Sequence, residues 1–268
     1  MIIKIKRFFL DIYKRRDLLL ELAKRDLQRQ YMGSYLGLVW VYLQPLLFIL
    51  VLYFIFTIGL KAGHKINGVP FIVYLIVGIV PWFYIANNLN TMTSVIIQYS
   101  FLLKKVDFRI SLLPIVKLMS SLVPHIFLVF VAFIVLYINH IAPSIYMLQL
   151  IYYYICMLAL LLGVGWLTSS TRIFIPDVSN VINLIVTFGF WLTPVFWNIN
   201  RIPHKYYWIV NLNPIVYIVE GYRDSMIYHK WFWEKPYETL YYWFITIFIM
   251  FVGIVVFRRL RPHFAEVV

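Results

Sequence analysis

Residues 34–60 read SYLGLVWVYLQPLLFILVLYFIFTIGL, a stretch without Asp, Glu, Lys or Arg that follows a basic segment holding Lys24, Arg25 and Arg29. An α-helix needs about 20 mostly apolar residues to cross the hydrocarbon core of a bilayer. Five further runs of this kind follow, at about 71–92, 113–138, 146–171, 178–197 and 237–257, interrupted only by Lys117 and Glu238 near the starts of two of them. A membrane β-barrel would instead alternate polar and apolar residues over about ten positions. The expectation is an all-α integral membrane protein with six transmembrane helices.

The charge lies between the runs. Of the 24 Lys and Arg, 17 fall in alternate gaps beginning with the N-terminal segment, and 7 fall in the others. Cytoplasmic loops carry the excess of Lys and Arg, so both termini are expected in the cytoplasm, in a multi-pass protein of the plasma membrane. Residues 1–10 are not expected to be a cleavable signal, being short, cationic and without a small-residue cleavage site. The single Cys156 permits no intramolecular disulfide and reads as a packing residue.

Residues 1–33 read as a cytoplasmic amphipathic interface helix and 34–268 as one six-span domain, without repeat or linker. Over 7–29, Phe8, Phe9, Ile12, Leu19, Leu20, Leu22, Ala23 and Leu27 share a broad face at about 100° per residue. Lys14, Asp17, Glu21, Lys24, Arg25 and Gln28 occupy the other face, the pattern of a helix lying on a membrane. Arg16 falls inside the apolar face, which predicts a break there or a snorkelling side chain. The loop 93–112 mixes apolar residues with Lys104, Lys105, Asp107 and Arg109; it suits a cleft on a soluble partner or an ordinary positive-inside anchor. Residues 206–219 are apolar but too short to cross, and Asn211, Asn213 and Pro214 break them. If they did cross, Arg258, Arg259 and Arg261 would face outside, against the charge rule. A re-entrant helical pair within an external segment 198–236 satisfies both facts.

Several chemistries are excluded. No phosphate-binding Gly-rich loop is present, the six histidines are dispersed without metal-ligand spacing, and no carboxylate pair lies within a span. No ionisable residues are expected to be buried, so an ion-coupled carrier is disfavoured and the energy source is expected outside the chain. On a helical wheel Tyr31, Tyr35, Tyr42 and Tyr53 form a stripe, with Gly33, Gly37 and Trp40 opposite; Phe188, Phe190, Trp191, Phe196 and Trp197 make the fifth run similarly aromatic. Such faces stack on sugar rings, and they equally serve membrane interfaces and helix packing. Gly33 and Gly37 offer a close helix approach. Gln44-Pro45 reads as a kink in a packed helix or as a polar contact across a helix pair. Lys24, Arg25 and Arg29 would attract anionic headgroups, either to orient the chain or to recognise a diphosphate-linked lipid.

The order of short motifs resembles a known family. The carriers are Tyr35-Leu-Gly-Leu-Val-Trp40 with Gln44-Pro45, Asn67-Gly-Val-Pro-Phe71 through Gly78-Ile-Val-Pro-Trp82, and Ala142-Pro-Ser-Ile-Tyr146 with Leu148-Gln-Leu-Ile-Tyr152. They continue with Pro176-Asp177-Val178, Trp191-Leu-Thr-Pro-Val-Phe-Trp197, Asn213-Pro214, Glu220-Gly-Tyr-Arg-Asp224 and Arg261-Pro-His-Phe-Ala265. Together they resemble the membrane subunits of type-2 ABC polysaccharide exporters, most closely the wall teichoic acid permeases of Gram-positive bacteria. One departure is Ile175-Pro176-Asp177, where the family often has an Arg before the Asp, although Arg172 lies nearby.

The resemblance implies a non-catalytic permease in a homodimer that binds two copies of a separate ATPase, with ATP and magnesium on that partner and no cofactor here. Segment 98–112 would be a coupling helix contacting the ATPase through Leu102, Leu103, Lys104, Lys105, Val106, Asp107, Phe108 and Arg109. Spans one and five would line a channel through Tyr31, Tyr35, Tyr42, Tyr53, Phe188 and Trp191. A lipid-diphosphate-linked teichoic acid would enter beside Lys24, Arg25 and Arg29, and 198–236 would form an outer gate with Asn213, Pro214, Glu220 and Arg223. Membrane lipids are the other expected partner, and nucleic acid is not. The alternative in the same family is export of O-antigen or capsular polysaccharide. A polyprenyl-phosphate membrane enzyme is disfavoured for want of clustered carboxylates or histidines, and a membrane scaffold would need no ATPase.

Overall fold

A computed structural model describes residues 10–30, 32–59, 65–102 and 108–267. The first long helix, α1 (Arg16–Arg29), follows a short helical stretch at 10–14 and a break at Arg15, whose backbone leaves helical geometry at φ −107° and ψ 17°. The expected break is therefore present, one residue before Arg16. Leu19, Ala23 and Asp26 form the buried stripe of α1.

Before α2 (Val39–Phe54) the chain turns through Gly33 at φ 85° and Gly37 at φ 47°. The first apolar run is thus not one helix from residue 34. Neither glycine supports a close helix approach, since nothing lies within 4 Å of where a Cβ would stand. A π-helical turn, Ile55–Gly59, extends α2. A two-residue hairpin, β1 (Lys65–Ile66) with β2 (Val69–Pro70), is a small exception to the all-helical expectation. Asn67 at φ 50° and Gly68 at φ 82° make its turn, the Asn-Gly pairing that two-residue hairpins favour.

The hub is α3 (Phe71–Thr93), buried along nearly its whole length. Around it pack α4 (Leu113–Ser120) with α5 (Leu122–Ile138), α6 (Leu150–Arg172), α7 (Val178–Leu192) and α8 (Pro214–Arg223); α9 (Pro236–Leu260) lies along α6. Lipid tails are as apolar as leucine, so close fit rather than water exclusion holds such helices together. Gly163 and Gly253 provide that fit between α6 and α9. A Cβ on Gly163 would stand 2.8 Å from the Met250 backbone, and one on Gly253 would collide with the Gly163 carbonyl. A second, separate core joins Leu19 and Ala23 of α1 to Val116, Trp166, Phe257 and Phe264.

Among the described residues, five segments are long and apolar enough to cross a membrane: Val39–Gly59, Phe71–Thr93, Ile110–Ile138, Ile145–Arg172 and Pro236–His263. A further apolar helix, Val178–Leu192, is shorter at 15 residues because Thr193 leaves helical geometry at φ −82° and ψ 136° and the chain turns.

Candidate functional site

The feature that organises the site is α8. Asn213 caps it by accepting from Ile215 N at 3.0 Å and donates to Thr193 Oγ1 at 2.9 Å, while Pro214 occupies the first turn, where no amide partner is needed. The other end of α8 reaches deep. The Tyr222 hydroxyl lies 3.1 Å from His125 Nε2, midway along the Ile110–Ile138 segment. The chain then returns through a π turn, Asp224–Tyr228, to the hairpin, where Asn67 donates to the Tyr228 hydroxyl at 3.4 Å.

Arg223 fixes this element. Its side chain is 0% exposed. Nη1 donates to the Pro194 carbonyl and to Glu220, and Nη2 to the Val195 carbonyl, each at 2.6 Å; the guanidinium lies over the Tyr74 ring at 3.7 Å. Gly78 makes room, since any Cβ there would strike the guanidinium. The next residue, Asp224, pairs with Lys235. Burial pushes the Asp224 carboxyl up from its ordinary value, and the Lys235 ammonium partly offsets that. Above α8 a vestibule of about 740 Å³ is lined by Tyr207, Trp208, Tyr237, Asn200, Asn211 and Glu238. Aromatic faces with amides and carboxylates at the rim are groups that can stack on and hydrogen-bond a polyhydroxylated ligand.

The aromatic helices divide their residues between two faces. Phe48 of α2 meets Phe83 of α3 at 5.6 Å and Phe190 of α7 at 5.7 Å, so Phe190 points inward. Phe188 and Trp191 point away, 60% and 56% exposed, on one α7 face with Val181, Leu184 and Ile185. The tyrosine stripe does not survive as drawn. Tyr35 lies in the turn before α2 and is fully exposed, Tyr42 packs edge-on against Phe127 at 4.7 Å, Tyr53 is half-buried against the core, and Tyr31 lies outside the described residues. One helical phase cannot pass through two positive-φ glycines.

On the opposite side, the three expected entrance cations differ. Lys24 is exposed, Arg25 is paired with Glu21 at 2.8 Å, and Arg29 lies over the Tyr99 ring at 5.9 Å. Beneath them is a knot absent from the sequence reading. Asp26 is buried and accepts from Lys117, from the Tyr99 hydroxyl at 3.0 Å and from Ser120 Oγ at 2.8 Å. Burial and the neighbouring carboxylate push the Tyr99 phenol up, which keeps it a donor. The expectation of no buried ionisable residues is corrected here and at Arg223 and Asp224: Lys117 serves Asp26, Lys235 serves Asp224, and the Pro194 and Val195 carbonyls serve Arg223, partners outside the local run that an apolar pattern cannot reveal. Asp26 did leave a signal, since seven residues after Leu19 returns it to the same helical face.

Of the expected coupling residues, Leu103, Lys104, Lys105, Val106 and Asp107 lie outside the described residues, and Leu102 ends a 3₁₀ turn, Ser100–Leu102. Phe108 is buried in the second core and Arg109 pairs with Asp11, so both turn toward this chain. Among the described residues, no group of His, Cys, Asp and Glu could hold a metal.

The family described as ABC-2 type transporter matches residues 17–227. The chain belongs to this family. It is a multi-pass membrane protein of the ABC-2 type. A Klebsiella pneumoniae protein titled O-antigen export system permease protein is 28% identical over 254 residues, covering 94% of this chain and 95% of the relative. A second from the same organism is 26% identical over 253 residues with the same coverage. A Myxococcus xanthus protein of the same title is 23% identical over 262 residues, 97% of this chain and 98% of the relative. These three ABC-2 relatives are titled for O-antigen and not for teichoic acid, which the motifs had favoured.

Proposed function

We propose that this chain is the non-catalytic permease subunit of an ATP-driven polysaccharide exporter, with an O-antigen-type polymer preferred over teichoic acid. The observation that carries this is full-length similarity to ABC-2 permeases titled for O-antigen export. The substrate is a lipid-diphosphate-linked polymer. Energy comes from a separate ATPase that holds ATP and magnesium, since this chain offers no phosphate-binding loop.

In this reading, residues 1–33 form the interface region and 34–268 one membrane domain of six spans, with both termini in the cytoplasm. The 15-residue α7 completes the sixth crossing; at about 1.5 Å per residue it is short of a roughly 30 Å core, and the turn after it, where the Trp197 indole donates back to the Trp191 carbonyl at 2.9 Å, closes its outer end. Two copies of the chain enclose the path. The outward α7 face with Phe188 and Trp191 supports this, as does α2, which buries only Val41, Ile49 and Leu52. Lys24, Arg25 and Arg29 attract the diphosphate, and Leu102 to Arg109 belong to the segment that docks the ATPase. Asn213, Pro214, Glu220 and Arg223 hold the outer gate shut.

The test is co-purification with the ATPase, followed by ATP hydrolysis in proteoliposomes containing lipid-linked polysaccharide. Stimulation by an O-antigen-type polymer is expected, and reversing the charge of Lys104 and Lys105 should uncouple the two subunits. Intact coupling after replacement of all of 98–112 would refute the docking assignment, and equal or stronger stimulation by lipid-linked teichoic acid would reverse the substrate preference.

A further inference from the structure

A trough of about 820 Å³ opens between α4, α6 and α9. Its walls are apolar, carried by Ile115, Leu158, Leu162 and Ile254, and Ile12 closes it from the N-terminal side. Its mouth is cationic, with Arg109, Arg258 and Arg261. Arg109 is engaged by Asp11, but among the described residues no carboxylate pairs with Arg258 or Arg261, and both are exposed. The Trp166 indole marks the boundary between the two zones, donating to the Ser111 carbonyl at 3.0 Å. A long apolar wall ending in unpaired guanidiniums complements an amphiphile with a hydrocarbon chain and a phosphate head. A soluble anion would have no use for the wall, and a zwitterionic lipid would leave the cations uncompensated.

None of the lining residues belongs to α2, α7 or α8, and the interface region that carries the entrance cations Lys24, Arg25 and Arg29 contributes only the apolar Ile12. That separation favours a lipid of the bilayer itself over the transported one. We propose that the trough is a binding site for one anionic phospholipid. Its chains lie along Leu158 and Ile254, and its phosphate sits between Arg258 and Arg261. The lipid joins the N-terminal stretch that carries Ile12 to α9. The lipid site itself depends only on the chain spanning a membrane, and not on the identity of the polymer.

The experiment uses the complex with its ATPase in nanodiscs of phosphatidylcholine doped with phosphatidylglycerol, with retained lipid counted by native mass spectrometry after detergent exchange. Wild type should retain phosphatidylglycerol in preference to phosphatidylcholine. The R258E/R261E pair should lower that retention on the order of tenfold or more at low ionic strength, given the attraction of each cation near a membrane surface. R258K/R261K should keep most of it, and R201E on the other side of the molecule should change nothing. Leu158→Trp, which fills the trough without touching charge, should also lose the lipid, with thermal unfolding recorded alongside. Equal retention in wild type and R258E/R261E, or no preference between the two phospholipids, would overturn the proposal. So would displacement of phosphatidylglycerol by the lipid-linked polymer, which would give the trough to the substrate.

Discussion

Asp26→Ala is the most exacting test of how the N-terminal helix is attached. The substitution removes the acceptor for Lys117, Tyr99 and Ser120, and leaves an ammonium whose side chain is 3% exposed without a counter-charge. Breaking a buried pair from one side costs about 3–5 kcal/mol. The expected loss is about 4 kcal/mol. Lys117→Met alone strands the Asp26 carboxylate from the other side and should cost a similar amount. The double variant removes both charges and should recover about 2–3 kcal/mol of the summed losses as coupling. Denaturant or thermal unfolding in lipid nanodiscs reads all four corners of the cycle. A loss below about 1 kcal/mol for Asp26→Ala, or a double variant no more stable than the sum predicts, would refute the knot as an energetic link.

Arg223→Met should destabilise by about 3–5 kcal/mol, because two carbonyls and Glu220 lose their donor. Arg223→Lys should recover only part, since one ammonium cannot serve the Pro194 and Val195 carbonyls with the geometry of a guanidinium; unfolding of the two variants side by side decides it. Gly253→Val should cost about 1–3 kcal/mol or more through overpacking against α6, while Gly59→Val, at a position with open space around it, should cost far less. Phe188→Ala with Trp191→Ala should destabilise the monomer only modestly, by about 0.5–1.5 kcal/mol for each lost edge contact of Trp191 with Phe190 and Phe196, as both side chains are more than half exposed. The same pair should lower polymer transport in proteoliposomes; a large loss of stability instead would show that these rings pack within the protomer.

The helices were legible because crossing a bilayer demands continuous apolar length, and the charged gaps stand out against it. The broken pair of short helices, Tyr207–Asn211 and Pro214–Arg223, was legible for a narrower reason: Asn211, Asn213 and Pro214 interrupt a run already too short to cross. What escaped was long-range pairing. Asp26 and Lys117 are 91 positions apart in the chain, and Arg223 finds its carbonyl partners in the turn after α7. No local window contains both halves of such a contact. The tyrosine stripe failed from the opposite cause. A wheel assumes unbroken helical phase, and Gly33 and Gly37 abolish it before Val39. The Asn67-Gly68 pair is a hairpin signal, but each strand beside it is two residues long, too short to show an alternating pattern.

The contact between Gly163 and Gly253 has a mechanical consequence. With backbone against backbone, α6 and α9 form a strut with no internal joint. At one end Phe257 is set in the core that grips Leu19 and Ala23. At the other, Thr239 and Trp243 are fastened by hydrogen bonds to Tyr217 and Tyr152, beside α8. A push applied to the N-terminal helix therefore has a stiff route across the whole thickness of the molecule. Its bending must be taken up elsewhere, at the glycine turns before α2, at Ser121 between α4 and α5, or in the turn that follows α7.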